Sequence, residues 1–334
     1  MSATTASDST SISEWAAALE GLRGESGRMG DRMRAVFHLR TDGSDAAREV
    51  LCRALEHKAD SSLLRHELAY VLGQMQLTSS VPTLTRVLED AEDCPVVRHE
   101  AAEALGAIAD PSSLAVLEKF CDDERPEVSE TCAIAVRRLR WLADHPEQAP
   151  GKNGEGNGDV LAQAEASLFE SVDPAPAALK DEVQDQSVAN LGAVLMNADL
   201  QLFRRYQAMF SLRNLAAKGT EEAVVELAKG LKDDSALFRH EVAYVLGQLE
   251  EAAAPAVREL EEALRDENEH GMVRHEAAEA LGAVGTPECI ALLKEYLNDP
   301  EPLVSESCET ALDSIDYWTK FAEGAKEEEE EAEA

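Results

Sequence analysis

Basic residues are scarce in this chain: 31 Lys and Arg stand against 66 Asp and Glu, for a formal net charge of −35. Such a surface repels nucleic acid and anionic lipid and favours a cationic partner or substrate. Part of the excess is a solvated run at the C-terminus, Lys326 followed by Glu327 to Glu331, Ala332, Glu333 and Ala334. The body remains strongly acidic without it. The six cysteines (Cys52, Cys94, Cys121, Cys132, Cys289 and Cys308) include no C-x-x-C pair, so neither a thiolate zinc site nor a redox dithiol is expected. The polar N-terminus lacks the apolar core of a secretory leader. No run approaches the roughly 20 apolar residues that span a bilayer. A soluble intracellular protein with reduced thiols is expected, cytoplasmic and with the nucleus as a second compartment. No P-loop, dinucleotide fingerprint or Ser–His–Asp set is present.

What is present is repetition. Four segments are nearly identical: RHELAYVLG from Arg65, RHEAAEALG from Arg98, RHEVAYVLG from Arg239 and RHEAAEALG from Arg274. His66 to His99 is 33 residues and His240 to His275 is 35, spacings that suit a two-helix solenoid repeat. The halves also repeat each other: AVFHLR (35–40) matches AMFSLR (208–213), and RPEVSETC (125–132) matches EPLVSESC (301–308). About four repeats per half follow, the inner two carrying His–Glu. The fourth of each half has Glu130 or Glu306 where His would stand. Apolar residues recur at helical spacing, and Pro82, Pro95, Pro111, Pro126, Pro287 and Pro302 fall at repeat boundaries, where a helix start tolerates proline. Between the halves, Gly, Pro and polar residues replace apolar periodicity. The reading is all-α: an α-solenoid of helical hairpins in two pseudo-symmetric lobes, 1–143 and 181–325, with a flexible linker over 144–180 and an acidic tail over 326–334.

Each copy also places Ala three residues and Gly seven residues after its His. At roughly 100° per residue both lie near the His direction, so small side chains follow each His along its own face. Gly inside a helix costs about 1 kcal/mol against Ala, which implies close helix packing or room for something large. A general repeat consensus accounts for the Arg, Ala, Leu and Gly. It does not account for His–Glu in the two variable slots of all four copies. His66, Glu67, His99, Glu100, His240, Glu241, His275 and Glu276 are therefore the candidate metal ligands. Nitrogen and oxygen donors without sulfur exclude a cysteine zinc cage, and H-E-x-x-H is absent because the fifth position is Tyr70, Glu103, Tyr244 or Glu279. Two His and a carboxylate with open positions suit a non-haem iron, and the duplication suits a di-metal centre between facing lobes. Adjacent residues do not share a helix face. Either the metal lies beyond the helix ends, or some Glu ligate while others steer substrate. Glu103 and Glu279, one turn after His99 and His275, are rival ligands, disfavoured because the other copies have Tyr there.

Two lobes of repeats, a linker and four His–Glu motifs resemble the deoxyhypusine hydroxylase family over almost the whole chain. The resemblance implies HEAT-like repeats and a di-iron monooxygenase with two iron ions per chain. It implies O2 as co-substrate for hydroxylating the deoxyhypusine side chain, a modified lysine of translation initiation factor 5A. It assigns the four His to iron and the four Glu to the motif glutamates. Glu100 and Glu276 are then expected as direct ligands, and Glu67 and Glu241 as catalytic groups facing the substrate amine. Met272, Gly73 and Gly247 are candidates for the entrance. Two other classes compete: a solenoid scaffold for a basic protein, and a metal-dependent hydrolase.

Overall fold

The structure, a computed structural model, describes residues 5–21, 27–148, 169, 171–178 and 185–333. Among them there is no β-strand. Eight outer helices alternate with eight inner ones. The outer set is α1 (Thr5–Leu19), α3 (Asp45–Leu55), α5 (Val81–Glu89), α7 (Leu114–Lys119), α9 (Val188–Leu195), α11 (Glu221–Ala228), α13 (Val257–Arg265) and α15 (Pro287–Glu295). The inner set is α2 (Met29–Asp42), α4 (Ser62–Gln74), α6 (Pro95–Ile108), α8 (Pro126–Asp144), α10 (Leu202–Ala217), α12 (Ala236–Gln248), α14 (Gly271–Val284) and α16 (Pro302–Glu333). Proline opens α6, α8, α15 and α16 and lies in the first turn of α5. The last helix runs on through the acidic run as far as Glu333.

Each inner helix packs on the next, and α16 returns to pack on α2 and α4, so the solenoid closes into a ring. Two seams join the lobes, α8 against α10 and α12, and α16 against α2 and α4. They are related by the internal repeat. At one, the N-cap Ser235 of α12 donates to Glu130 of α8 at 2.6 Å. At the other, the N-cap Ser61 of α4 donates to Glu306 of α16. The two carboxylates that replace His in the outer repeats thus join one lobe to the other.

The small residues after each His serve backbone contact. A Cβ built on Gly73 would lie 2.7 Å from Ala104 Cα, one on Gly106 2.9 Å from Ala135 Cβ, and one on Gly282 2.6 Å from Ala311 Cβ. Real side chains do not come that close, so these glycines let neighbouring inner helices touch along their backbones. Of the two readings open from the sequence, close packing holds.

The arginine of each motif staples its repeat to the next. Nε of Arg65, Arg98 and Arg274 donates to the carbonyls of Leu55, Leu88 and Leu264 at 2.8, 3.1 and 3.0 Å, satisfying helix ends that lack a partner of their own. Their Nη atoms reach Asp93 (2.5 and 2.7 Å), Asp123 (2.6 Å) and Asp299 (2.6 Å), which precede the following inner helix. Arg239 departs slightly, gripping Glu269 through Nε and Nη2 at 2.8 and 2.5 Å.

Most of 149–184 lies outside the described residues, but Phe169 and 171–178 are placed and packed, although composition assigns them to a flexible linker. Ala175 is fully buried. Gln74 of the first lobe accepts from Val172 N at 2.7 Å, and Arg138 donates to the Asp173 carbonyl at 3.1 Å. From the second lobe, Arg213 grips the Asp173 carboxylate at 2.9 and 2.6 Å, and Gln248 donates to Ser171 Oγ at 3.0 Å. Side chains from both lobes satisfy the polar groups of this strap. That is why a Pro- and Asp-bearing stretch without helical period is held in place.

Candidate metal centre

All four motif histidines lie in the middle of the ring. Each sits in the first turns of an inner helix, at or below 5% exposure. Their ring centroids form a circuit: His66 to His99 5.4 Å, His99 to His240 5.4 Å, His240 to His275 5.4 Å and His275 back to His66 5.3 Å. The tilts repeat by lobe, 39° within the first and 40° within the second. Residues 174 apart in sequence thus face each other across a pseudo-two-fold axis. The hydroxyls of Tyr70 and Tyr244 meet at 2.9 Å across that boundary.

The carboxylates resolve the adjacency problem. Glu100 and Glu276 do not pair chiefly with the His beside them but reach the His of the preceding repeat. Glu100 Oε2 lies 3.2 Å from His66 Nε2 and 4.0 Å from His99 Nε2, and Glu276 Oε2 lies 3.3 Å from His240 Nε2. Glu67 leans on His66 Nδ1 at 3.3 Å. Glu241 is buried and its Oε1 has no partner. The rivals Glu103 and Glu279 are also at the site. Glu103 shares a cluster with His99 and Glu100, and Glu279 approaches His275 Nδ1 at 3.5 Å while accepting from Ser307.

Both ring nitrogens of His99 and of His240, and Nε2 of His66 and His275, are buried without a hydrogen-bond partner. Buried polar atoms are ordinarily satisfied, and the four rings that carry these orphans surround one space, each able to present one nitrogen to it. Donors from His66, His99 and His240 come within 4.8 Å of one another, as do those of His240, His275 and Glu276. The first set draws on both lobes and the second on one, and nitrogen and carboxylate donors at that spacing fit a divalent transition metal.

The electrostatics point the same way. Burial pushes His99, His240 and His275 well below the ordinary imidazole range, so they are neutral donors. Burial resists charge on His66, but Glu100 and Glu67 outweigh it and hold that imidazole well above its ordinary range. Burial, reinforced by neighbouring carboxyls, pushes Glu103, Glu241 and Glu276 well up. Without metal these carboxyls keep protons, and a cation must displace them. Metal binding near neutral pH should therefore release protons, and affinity should rise with pH. Calorimetric titration of metal-free protein in two buffers of different ionisation enthalpy reads this directly. Equal apparent enthalpies would contradict it.

A cavity of about 340 Å³ opens onto the cluster. Six carboxyl groups line it, from Glu67, Glu100, Glu103, Glu241, Glu276 and Glu279, against one guanidinium, Arg40. Gly247 is on its wall, as expected for an entrance residue. Gly73 and Met272 are not: Gly73 packs on Ala104, and Met272 is fully buried. The Tyr70–Tyr244 pair, Phe37 and Arg40 were not singled out from sequence. The only signal they carry is their place in the duplicated blocks.

Fold and site together define a helical-repeat protein with duplicated His–carboxylate groups, able to hold metal, gathered between two lobes. HEAT repeats match residues 57–137 and 254–313. Deoxyhypusine hydroxylase of Drosophila melanogaster is 47% identical over 86% of both chains, and that of Homo sapiens 46% identical over 89% of this chain and 90% of its own. The solved structure of human deoxyhypusine hydroxylase with glycerol superposes with a TM-score of 0.80 at 44% identity, covering 93% of this chain and 99% of that one. The chain belongs to the deoxyhypusine hydroxylase family.

Proposed function

We propose that this site holds two iron ions and uses O2 to hydroxylate the deoxyhypusine side chain of translation initiation factor 5A. The enzyme is a monooxygenase, and the observation that carries the metal assignment is the set of buried histidine nitrogens without partners around one space. In this reading His66, His99 and Glu100 hold one ion, and His240, His275 and Glu276 the other. The irons supply activation of O2, which side chains alone cannot provide. The protein does the rest. Its closed ring keeps the two half-sites in register and excludes bulk water. The carboxyl-lined cavity concentrates a polyamine-like cation, and field focusing in such a cleft raises its local concentration. Glu67 and Glu241 line the same cavity but belong to none of the close His–carboxylate clusters, and they are the groups we assign to the substrate amine. A scaffold role leaves the orphan nitrogens unexplained.

The test is elemental analysis with a visible spectrum, alongside mass spectrometry of the deoxyhypusine-bearing factor after incubation with enzyme, reductant and O2. Two irons per chain, a charge-transfer band and gain of one oxygen atom by the factor are expected. A colourless zinc protein that leaves the factor unchanged would defeat this reading.

A further inference from the structure

The strap makes the two mouths of the ring unequal. It is held by side chains of α4, α8, α10 and α12, and it lies over the α10 side of the pseudo-two-fold axis. There the Arg213 guanidinium lies 4.2 Å from the Phe169 ring centroid and 4.8 Å from that of Phe210, with the Asp173 carboxylate at its edge. By the internal repeat, the mates of Phe210 and Arg213 are Phe37 and Arg40. They stand at the open mouth and line the cavity. Phe210 is fully buried, whereas Phe37 is 43% exposed. Arg213 has its carboxylate, but Arg40 makes no hydrogen bond or ion pair with any described residue. The contrast extends to α8 and α16. Trp141 and Leu142 are buried, while their mates Tyr317 and Trp318 are 46% and 61% exposed. One half of a duplicated surface is covered by the chain itself, and at the matching half Phe37 and Tyr317 are about half exposed.

We propose that the open half is where the substrate protein docks, with a carboxylate-bearing segment lying over Phe37 and Arg40 as the strap lies over Phe210 and Arg213. This rests on the function proposed above and names how the macromolecular substrate is held. A carboxylate is the chemistry the covered half shows: a guanidinium fork takes it bidentately, and a cation without a partner in so acidic a chain favours an anion. Arg40 is also the one guanidinium on a wall that carries six carboxyls, so the amine-bearing side chain and the acidic anchor are sorted to different places. The aromatic shelf of Tyr317 and Trp318 adjoins this anchor in a second cavity that shares Phe37, and gives the docked protein apolar area.

The test uses full-length, iron-loaded enzyme and the deoxyhypusine-bearing factor. Arg40→Ala should weaken equilibrium binding and raise KM about tenfold, Arg40→Glu should raise them further, and Arg40→Lys should fall between, since it keeps the charge and loses the fork. At saturating factor, kcat should stay within about twofold, because Arg40 touches no candidate metal ligand. Raised salt should narrow the gap between wild type and Arg40→Ala. Unchanged KM in Arg40→Ala, or a fall in kcat instead, would overturn the inference. So would a lower melting temperature of free Arg40→Ala that disappears when residues 150–168 are deleted, since the chain's own segment would then be the occupant. A wild-type enzyme that binds and hydroxylates nothing would instead defeat the function on which the inference rests.

Discussion

His99→Ala is expected to lose iron and to cut turnover by more than about 100-fold, since even groups that merely orient a ligand cost 10–100-fold. His99 is fully buried, both its ring nitrogens lack partners, and it touches both neighbours in the histidine circuit. No other described side chain occupies its position, and Ala offers no donor. The effect on stability should depend on metal. In the loaded protein the melting temperature should fall, because bound ions stabilise the native state in proportion to ln(1 + [L]/Kd). In chelator the difference should shrink or reverse, because the substitution removes two buried unsatisfied nitrogens, each costing about 1–3 kcal/mol. A large loss of stability in chelator with iron retained would mean that His99 is a packing residue. His275→Ala should behave alike, and the double variant should be little worse than either single one if the two ions act as a unit.

Arg65→Ala should destabilise the protein by about 3–5 kcal/mol, the usual result of stripping one partner from a buried ion pair. Arg65 is 2% exposed and Asp93 8%. Burial works against the Asp93 charge, yet the Arg65 guanidinium and the Cys94 backbone N–H hold its carboxyl below the usual range. Removing Arg65 leaves that charge without its fork and orphans the Leu55 carbonyl. Denaturant unfolding of the chelated protein measures this without a contribution from metal. An exposed pair makes the control: Lys58→Ala, which frees Asp90, should cost less than about 1 kcal/mol. If Arg65→Ala proves equally mild, the staple contributes little. Acid should erode the difference. The folded Asp93 value is depressed, so the pair's stabilisation is full above the ordinary carboxylate range and fades as pH falls through the lowered one.

The helices, their proline starts and the repeat were legible because each is local: periodicity, punctuation and self-similarity need no tertiary knowledge. The eight His–Glu residues stood out for the same reason, being identical letters at matched positions. Ring closure was not legible. Ser61–Glu306 and Ser235–Glu130 join residues whose meeting depends on the small rotation between repeats, which no local pattern records. Nor was the partner of each carboxylate: helix geometry left open which His each Glu approaches, and the structure sets Glu100 nearer His66 than His99. The bonds that hold the strap were not legible because composition reports what a segment lacks. Residues 171–178 lack helical period and keep only a side-chain bond from Ser171 to Asp173 among themselves, and Gln74, Arg138, Arg213 and Gln248 hold them from outside.

Ring closure also sets a timetable. Met29 N bonds to Glu309 across 280 residues of chain. At roughly 5–20 residues per second of synthesis, a first lobe completed near residue 143 waits about 8–33 s for Glu309. During that interval a nascent first lobe holds only His66, His99 and their glutamates, half of a metal centre, beside two uncovered seams. Because those seams are two-fold mates, the first lobe of one nascent chain could accept the second lobe of another. The short tether over 144–180 then acts as the device that sets effective concentration in favour of the chain's own second half.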